Sequence, residues 1–146
     1  MTAAETVLYI ISMLCVGFLE EIIFRGFLFQ AMRKDGLKSA IIVSSVTFGF
    51  GHIITLLSGA ELIPTLIQIL YAVSTGFAFT LLFLKSGCLW PCILTHSAIN
   101  ALSAFVPGEI PLPTQLISGL FLTVVSLCYA LYYLKKGDLF HEPDHP

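Results

Sequence analysis

The chain has 146 residues, 57% of them hydrophobic and only 11% charged, with a mean hydropathy of +0.93. Soluble domains are about 25% charged, so this composition excludes a water-soluble enzyme and a disordered chain. Seven Lys+Arg against nine Asp+Glu leave no basic face for phosphates, which excludes a nucleic-acid binder. A spanning helix needs about 20 apolar residues, and five stretches meet that length. The first, from about Glu5 to Met32, is interrupted by Glu20, Glu21 and Arg25. The second runs from Leu37 to Leu57. The third covers Leu62 to Leu84, with Pro64 in its first turn, where a missing N–H is harmless. The fourth is shorter, Cys88 to about Val106, after a Ser86-Gly87 break, and the fifth, about Thr114 to Leu134, follows a Pro-rich turn at 107–113. The pattern predicts an all-α, multi-pass membrane bundle of about five transmembrane helices, a single membrane domain over 1–146 with a polar tail at 135–146.

Charge placement supports the same division. Arg33, Lys34 and Lys38 flank the first connection, Lys85 the third, and Lys135 and Lys136 follow the last helix, whereas the opposite side carries Glu5, Glu61 and Glu109. The positive-inside rule puts the basic side in the cytoplasm, with the N-terminus outside and the C-terminus inside. The first 19 residues lack a basic leader region and read as mature membrane helix rather than a signal peptide. Cys15, Cys88, Cys92 and Cys128 all fall in apolar runs and read as buried free thiols, not a disulfide framework.

Arg25 is the one basic residue inside the membrane. Each central charge costs about 2.5–3.5 kcal/mol on insertion scales, so Glu20, Glu21 and Arg25 need partners. Glu21 and Arg25, four apart, can pair along one helix face, which leaves the second carboxylate unexplained. At 1.5 Å per residue, Glu20 and Glu21 lie about 18–20 Å above the end of helix one, His52 about 21 Å up helix two, and His96 and Asn100 about 14 and 20 Å up helix four. Three helices thus bring two carboxylates, an Arg, two His and an Asn to one slab of the membrane. His96 and Asn100 share a face, as do Phe48 and His52, and Gly49 and Gly51 allow a neighbouring backbone to come close.

A carboxylate with a neighbouring imidazole can make water nucleophilic, and a second imidazole with an amide N–H can stabilise an oxyanion. That set suits hydrolysis of a peptide bond without a Ser or Cys nucleophile. His52, His96 and Glu20 also match zinc-ligand types. Cys88, Cys92 and His96 span about 12 Å of one helix, too far for one ion. Two other uses of the same residues are a b-type haem held by His52 and His96 and a proton relay through Glu20 and Glu21.

The run Glu20-Glu21-Ile22-Ile23-Phe24-Arg25 resembles the EExxxR motif of the CAAX-protease and bacteriocin-processing (CPBP, or Abi) membrane proteases. Residues Phe48 to His52 resemble their FxxxH motif, His96 to Asn100 their HxxxN motif, and Ser86 to Pro91 their SGSLWP-like segment. The resemblance covers about residues 17–104, with three motifs in order, and one expected helix follows the last motif. It implies a multi-pass cell-membrane endopeptidase resembling CAAX prenyl endopeptidases, or a catalytically idle relative serving as a scaffold or immunity factor. By the same resemblance Glu20 with His52 activates water, His96 with Asn100 forms the oxyanion site, and Arg25 holds Glu21. The implied partners are membrane lipid and a peptide or protein substrate, prenylated or not; no nucleic acid and no cofactor is expected, with zinc as the alternative. The site is expected to open toward the cytoplasm.

Overall fold

The computed structural model describes residues 2–106, 108 and 110–135. In lipid a backbone has no hydrogen-bonding partner except protein, so long apolar runs fold as helices. Five helices follow in order: α1 Ala3–Asp35, α2 Leu37–Ser58, α3 Leu62–Ser86, α4 Trp90–Leu102 and α5 Leu112–Lys135. No strand occurs among the described residues. Thr2 and Glu5 close a capping box at the start of α1, satisfying two amides that the first turn leaves unpaired. Gly87, at φ +64°, ends α3 in the left-handed conformation that a Cβ disfavours.

Two helices depart from α geometry where the motifs lie. The backbone of α1 widens into π turns over Ile22–Phe29, around Arg25. That of α2 tightens into a 3₁₀ coil over Gly51–Ser58, which carries His52. Such local departures often mark functional positions in helices.

Four of the helices, α1, α2, α3 and α5, are long and apolar enough to span a membrane. The fourth expected span is shorter: α4 has 13 residues and ends in a 3₁₀ turn at Ser103–Phe105. Its direction is nonetheless fixed by its neighbours. Along α3 and α5, Gly119 meets Ile67, Ser126 Oγ lies 3.3 Å from Thr75 Oγ1, and Lys85 Nζ donates to Tyr133 Oη at 2.8 Å. Residue numbers rise together, so these helices run parallel and the chain returns between them. The return leg is α4, antiparallel to α1: Leu89 lies beside Gly26, Ser97 donates to the Leu14 carbonyl at 3.0 Å, and Tyr9 Oη lies 3.0 Å from Ser103 Oγ.

The alternation puts Arg33, Lys34, Lys38, Lys85 and Lys135 at one end of the bundle, the basic end. Pro107, Glu109 and the tail from Lys136 onward lie outside the described residues. The packed core sits toward the basic end, where Phe29, Ala40, Ile41, Phe79, Leu81, Phe83, Cys92 and Ala130 are buried together. At the opposite end, α1 buries no side chain before Gly17. The four cysteines are free, as expected, but only Cys92 is buried. Cys15 and Cys128 lie on exposed helix faces, where an apolar thiol in lipid gains nothing from being inside, and Cys88 is exposed in the connection between α3 and α4.

Candidate active site

Small residues bring the motif helices together. A Cβ on Gly17 would stand 2.8 Å from Ser97 backbone atoms, and one on Gly49 would stand 2.6 Å from the Val73 nitrogen. The backbones of α1 and α4, and of α2 and α3, therefore touch beside the motifs, as the two-glycine FxxxH segment leads one to expect for α2.

Between these contacts lies a buried ionic chain. The Glu21–Arg25 pair forms as expected, Arg25 Nη1 donating to Glu21 Oε1 at 2.9 Å with both side chains fully buried. The same Glu21 oxygen lies 2.8 Å from His96 Nδ1. The other ring nitrogen of His96, Nε2, is 3.4 Å from Glu20 Oε2. Arg25 Nη2 donates to the Gly76 carbonyl at 3.0 Å, and the guanidinium lies 4.4 Å from the Phe48 ring centroid and 5.5 Å from that of Phe79. Those two rings also flank His96, each at 5.4 Å. The aromatic faces give the cation and the imidazole a desolvated seat. Glu21 Oε2 and Arg25 Nε have no partner among the described residues.

The two carboxylates differ in access. Glu21 is fully buried, whereas the Glu20 side chain is 28% exposed and faces a cavity of about 700 Å³. Glu20, His52, His96 and Asn100 all line that cavity. His52 reaches it from α2, with its Nδ1 3.3 Å from the Gln68 side-chain amide of α3. Asn100, one turn beyond His96 on α4, lines the same cavity. The imidazole in contact with Glu20 is His96, while His52 lines the same cavity from α2.

Three features were not foreseen from the motifs. Gln68 holds His52, a contact signalled only by an amide in the apolar run Leu66-Ile67-Gln68-Ile69-Leu70. The Gly76 carbonyl accepts from Arg25, and no side-chain pattern announces a backbone acceptor. Finally, α5 supplies the far wall through Leu122, Val125, Ser126 and Tyr129.

Toward the basic end the cavity is lined by Leu82 and Tyr129, which pack on the core cluster. From this floor it runs past Glu20 and His96 to Gln68, Tyr9 and Ser103. Exposed Ile99 on α4 and exposed Leu122 and Val125 on α5 also line it, so it reaches the lipid-facing surface between these helices. No group of three or more His, Cys, Asp or Glu is arranged to hold a metal ion among the described residues. Glu20, His52 and His96 instead line the cavity together, with His96 Nε2 3.4 Å from Glu20 Oε2.

A family model described as type II CAAX prenyl endopeptidase Rce1-like matches residues 2–102, about seven-tenths of the chain. No curated protein and no solved structure gives a significant match. The match spans all three motifs and stops where α4 ends, before α5. The chain is a multi-pass membrane protein, with four long apolar helices and one shorter one among the described residues, and it belongs to the type II CAAX prenyl endopeptidase Rce1-like family, within the CAAX-protease and bacteriocin-processing membrane proteases.

Proposed function

We propose that this chain hydrolyses a peptide bond within the bilayer, using Glu20 as the base, on a peptide or protein substrate that reaches the site from the lipid. The observation that carries this reading is the convergence of Glu20, His52, His96 and Asn100 on one cavity, with Glu20 the accessible carboxylate and Glu21 committed to Arg25. A water between Glu20 and His52 gives a proton to Glu20 as its oxygen attacks the scissile carbonyl. His96 lies between the two carboxylates, with Nδ1 2.8 Å from Glu21 Oε1 and Nε2 3.4 Å from Glu20 Oε2.

Protonation of Glu20 removes its hold on the His96 Nε2 proton as negative charge develops on the substrate oxygen. That N–H and the Asn100 amide are thus offered to the oxyanion when it forms, which stabilises the transition state over the ground state. Collapse of the tetrahedral species breaks the C–N bond, and Glu20 returns its proton to the leaving amine. The opening between α4 and α5 admits a substrate held in the membrane, and the family relationship favours a prenylated C-terminal peptide.

The test is turnover of an internally quenched farnesylated CAAX peptide by the purified protein in lipid nanodiscs, with metal analysis of the active sample. Glu20→Gln is expected to abolish cleavage while keeping the fold. Asn100→Ala and His96→Ala are each expected to lower kcat roughly 10²–10³-fold. Full activity in Glu20→Gln overturns the assignment of the base. One zinc per active chain with a nearly silent Asn100→Ala overturns the oxyanion assignment.

A further inference from the structure

Each of α1, α2 and α4 gives the cavity a carboxylate, an imidazole or an amide, whereas α5 gives it none. The cavity-facing stripe of α5 is Leu122, Val125, Ser126 and Tyr129, at i, i+3, i+4 and i+7, and so lies on one face. Ser126 is the smallest of the four, with Leu122 one turn before it and Tyr129 one turn after. The facing stripe of α3 has the same form, with Thr75 and Ala78 between the bulkier Tyr71 and Leu82. The two stripes meet where they are small, Ser126 Oγ lying 3.3 Å from Thr75 Oγ1. Together they leave a notch in the cavity wall. It lies at the depth of the reacting groups: Gly76, the next residue of α3, accepts from Arg25 at 3.0 Å, and the Phe79 ring, one turn on, is 5.4 Å from that of His96.

We propose that this notch is the subsite for the prenyl chain of the substrate, and that Ser126 determines the chain length accepted. The inference rests on the hydrolytic reading above and says where that substrate's hydrocarbon lies. A peptide backbone within the bilayer needs donors and acceptors from protein, and those stand on α1, α2 and α4 and at Gln68. The notch has nothing comparable to offer a peptide, because the Thr75 and Ser126 hydroxyls already bond to each other. It offers apolar surface in a cavity of about 700 Å³, within the roughly 300–1,000 Å³ of small-molecule sites. The rims that bound it are held in place. Tyr71 Cδ1 lies against Gly119, 3.4 Å from where a Cβ would stand, and Tyr129 packs on Tyr133, which accepts from Lys85. Were α5 only a cover over the motifs, bulk in the notch would affect chains of every length alike.

A farnesylated CAAX peptide with a diazirine at the end of its prenyl chain, photolysed with the protein in lipid nanodiscs, locates the chain by mass spectrometry of the adducts. Adducts are expected on the cavity-lining residues of 71–82 or 122–129. Excess farnesylated peptide is expected to suppress them and the unprenylated peptide is not. Adducts confined to other segments, or equally sensitive to both competitors, overturn the proposal. In turnover, Ser126→Phe and Ala78→Phe are each expected to raise the geranyl-to-farnesyl ratio of kcat/KM roughly 10–100-fold. Val124→Phe, on the exposed face of α5, is expected to leave that ratio unchanged. A ratio unmoved by the notch variants, or moved as far by Val124→Phe, overturns the length assignment. Should one notch variant fail to fold, the other and the adducts still decide. Labelling needs no turnover, so suppressible adducts in the notch of a protein that cleaves neither peptide refute the hydrolytic reading and leave the subsite standing.

Discussion

Arg25 shows how much of this site is held by one side chain. It neutralises Glu21, donates to the Gly76 carbonyl across to α3, and stacks on Phe48 and Phe79. Removing one member of a buried ion pair strands the other charge and costs about 3–5 kcal/mol. Arg25→Leu is therefore expected to lose stability on that scale and to release the Glu21 carboxylate that orients His96. Arg25→Lys keeps the charge but lacks the planar fork that serves Glu21 and Gly76 together. It is expected to fall between the two in thermal unfolding in detergent, and a leucine variant as stable as wild type would refute the account. The Glu21–Arg25 pair was legible from i,i+4 spacing alone. The partner of Glu20 was not, because spacing along one helix fixes depth and leaves the facing side chain to packing.

At the scale of helices, close contact is set by glycine. Gly17 sits against Ser97 and Gly49 against Val73, each without room for a methyl group. Gly49→Ala is expected to force α2 from α3, at the roughly 1–3 kcal/mol typical of an overpacked core. Activity is expected to fall further than stability, since the same displacement pulls His52 from Gln68. Gly51 has nothing within 4 Å of the corresponding position, so Gly51→Ala serves as the paired control with little change in unfolding temperature. Equal losses for the two would remove the close-packing argument. Sequence reading treated Gly49 and Gly51 alike; only the neighbouring helix distinguishes them. It also marked helix four as the shorter span and placed it within a few residues, because the Ser86-Gly87 break and the Pro-rich turn bound it.

For the whole molecule, the alternating helices gather the described loop lysines and arginines at one end. The positive-inside rule then predicts a cytoplasmic Lys34 and Lys85 and an external Glu61. Single-cysteine labelling at these positions, in a background lacking the native thiols, checks it; modification of position 61 from the cytoplasm would reverse the orientation. The core cluster sits toward the basic end, and exposed Ile99 on α4 and Leu122 and Val125 on α5 line the cavity.

The sequence by itself determined that this is a helical membrane protein, where its helices begin and end to within a few residues, and which charged and polar side chains share a depth. Those properties follow from transfer free energy and a fixed rise per residue, both of which are local. Only the tertiary structure decided that Glu20 meets His96, that Gln68 holds His52 and that α5 walls the cavity. Each depends on the rotation of a helix about its axis and on which neighbour it faces. Hydropathy in a fully apolar span carries little of that information, because every face of the helix is equally content in lipid. Close contacts of Gly17 with Ser97, Gly49 with Val73 and Gly119 with Ile67 settle it, and they exist only once the helices have met.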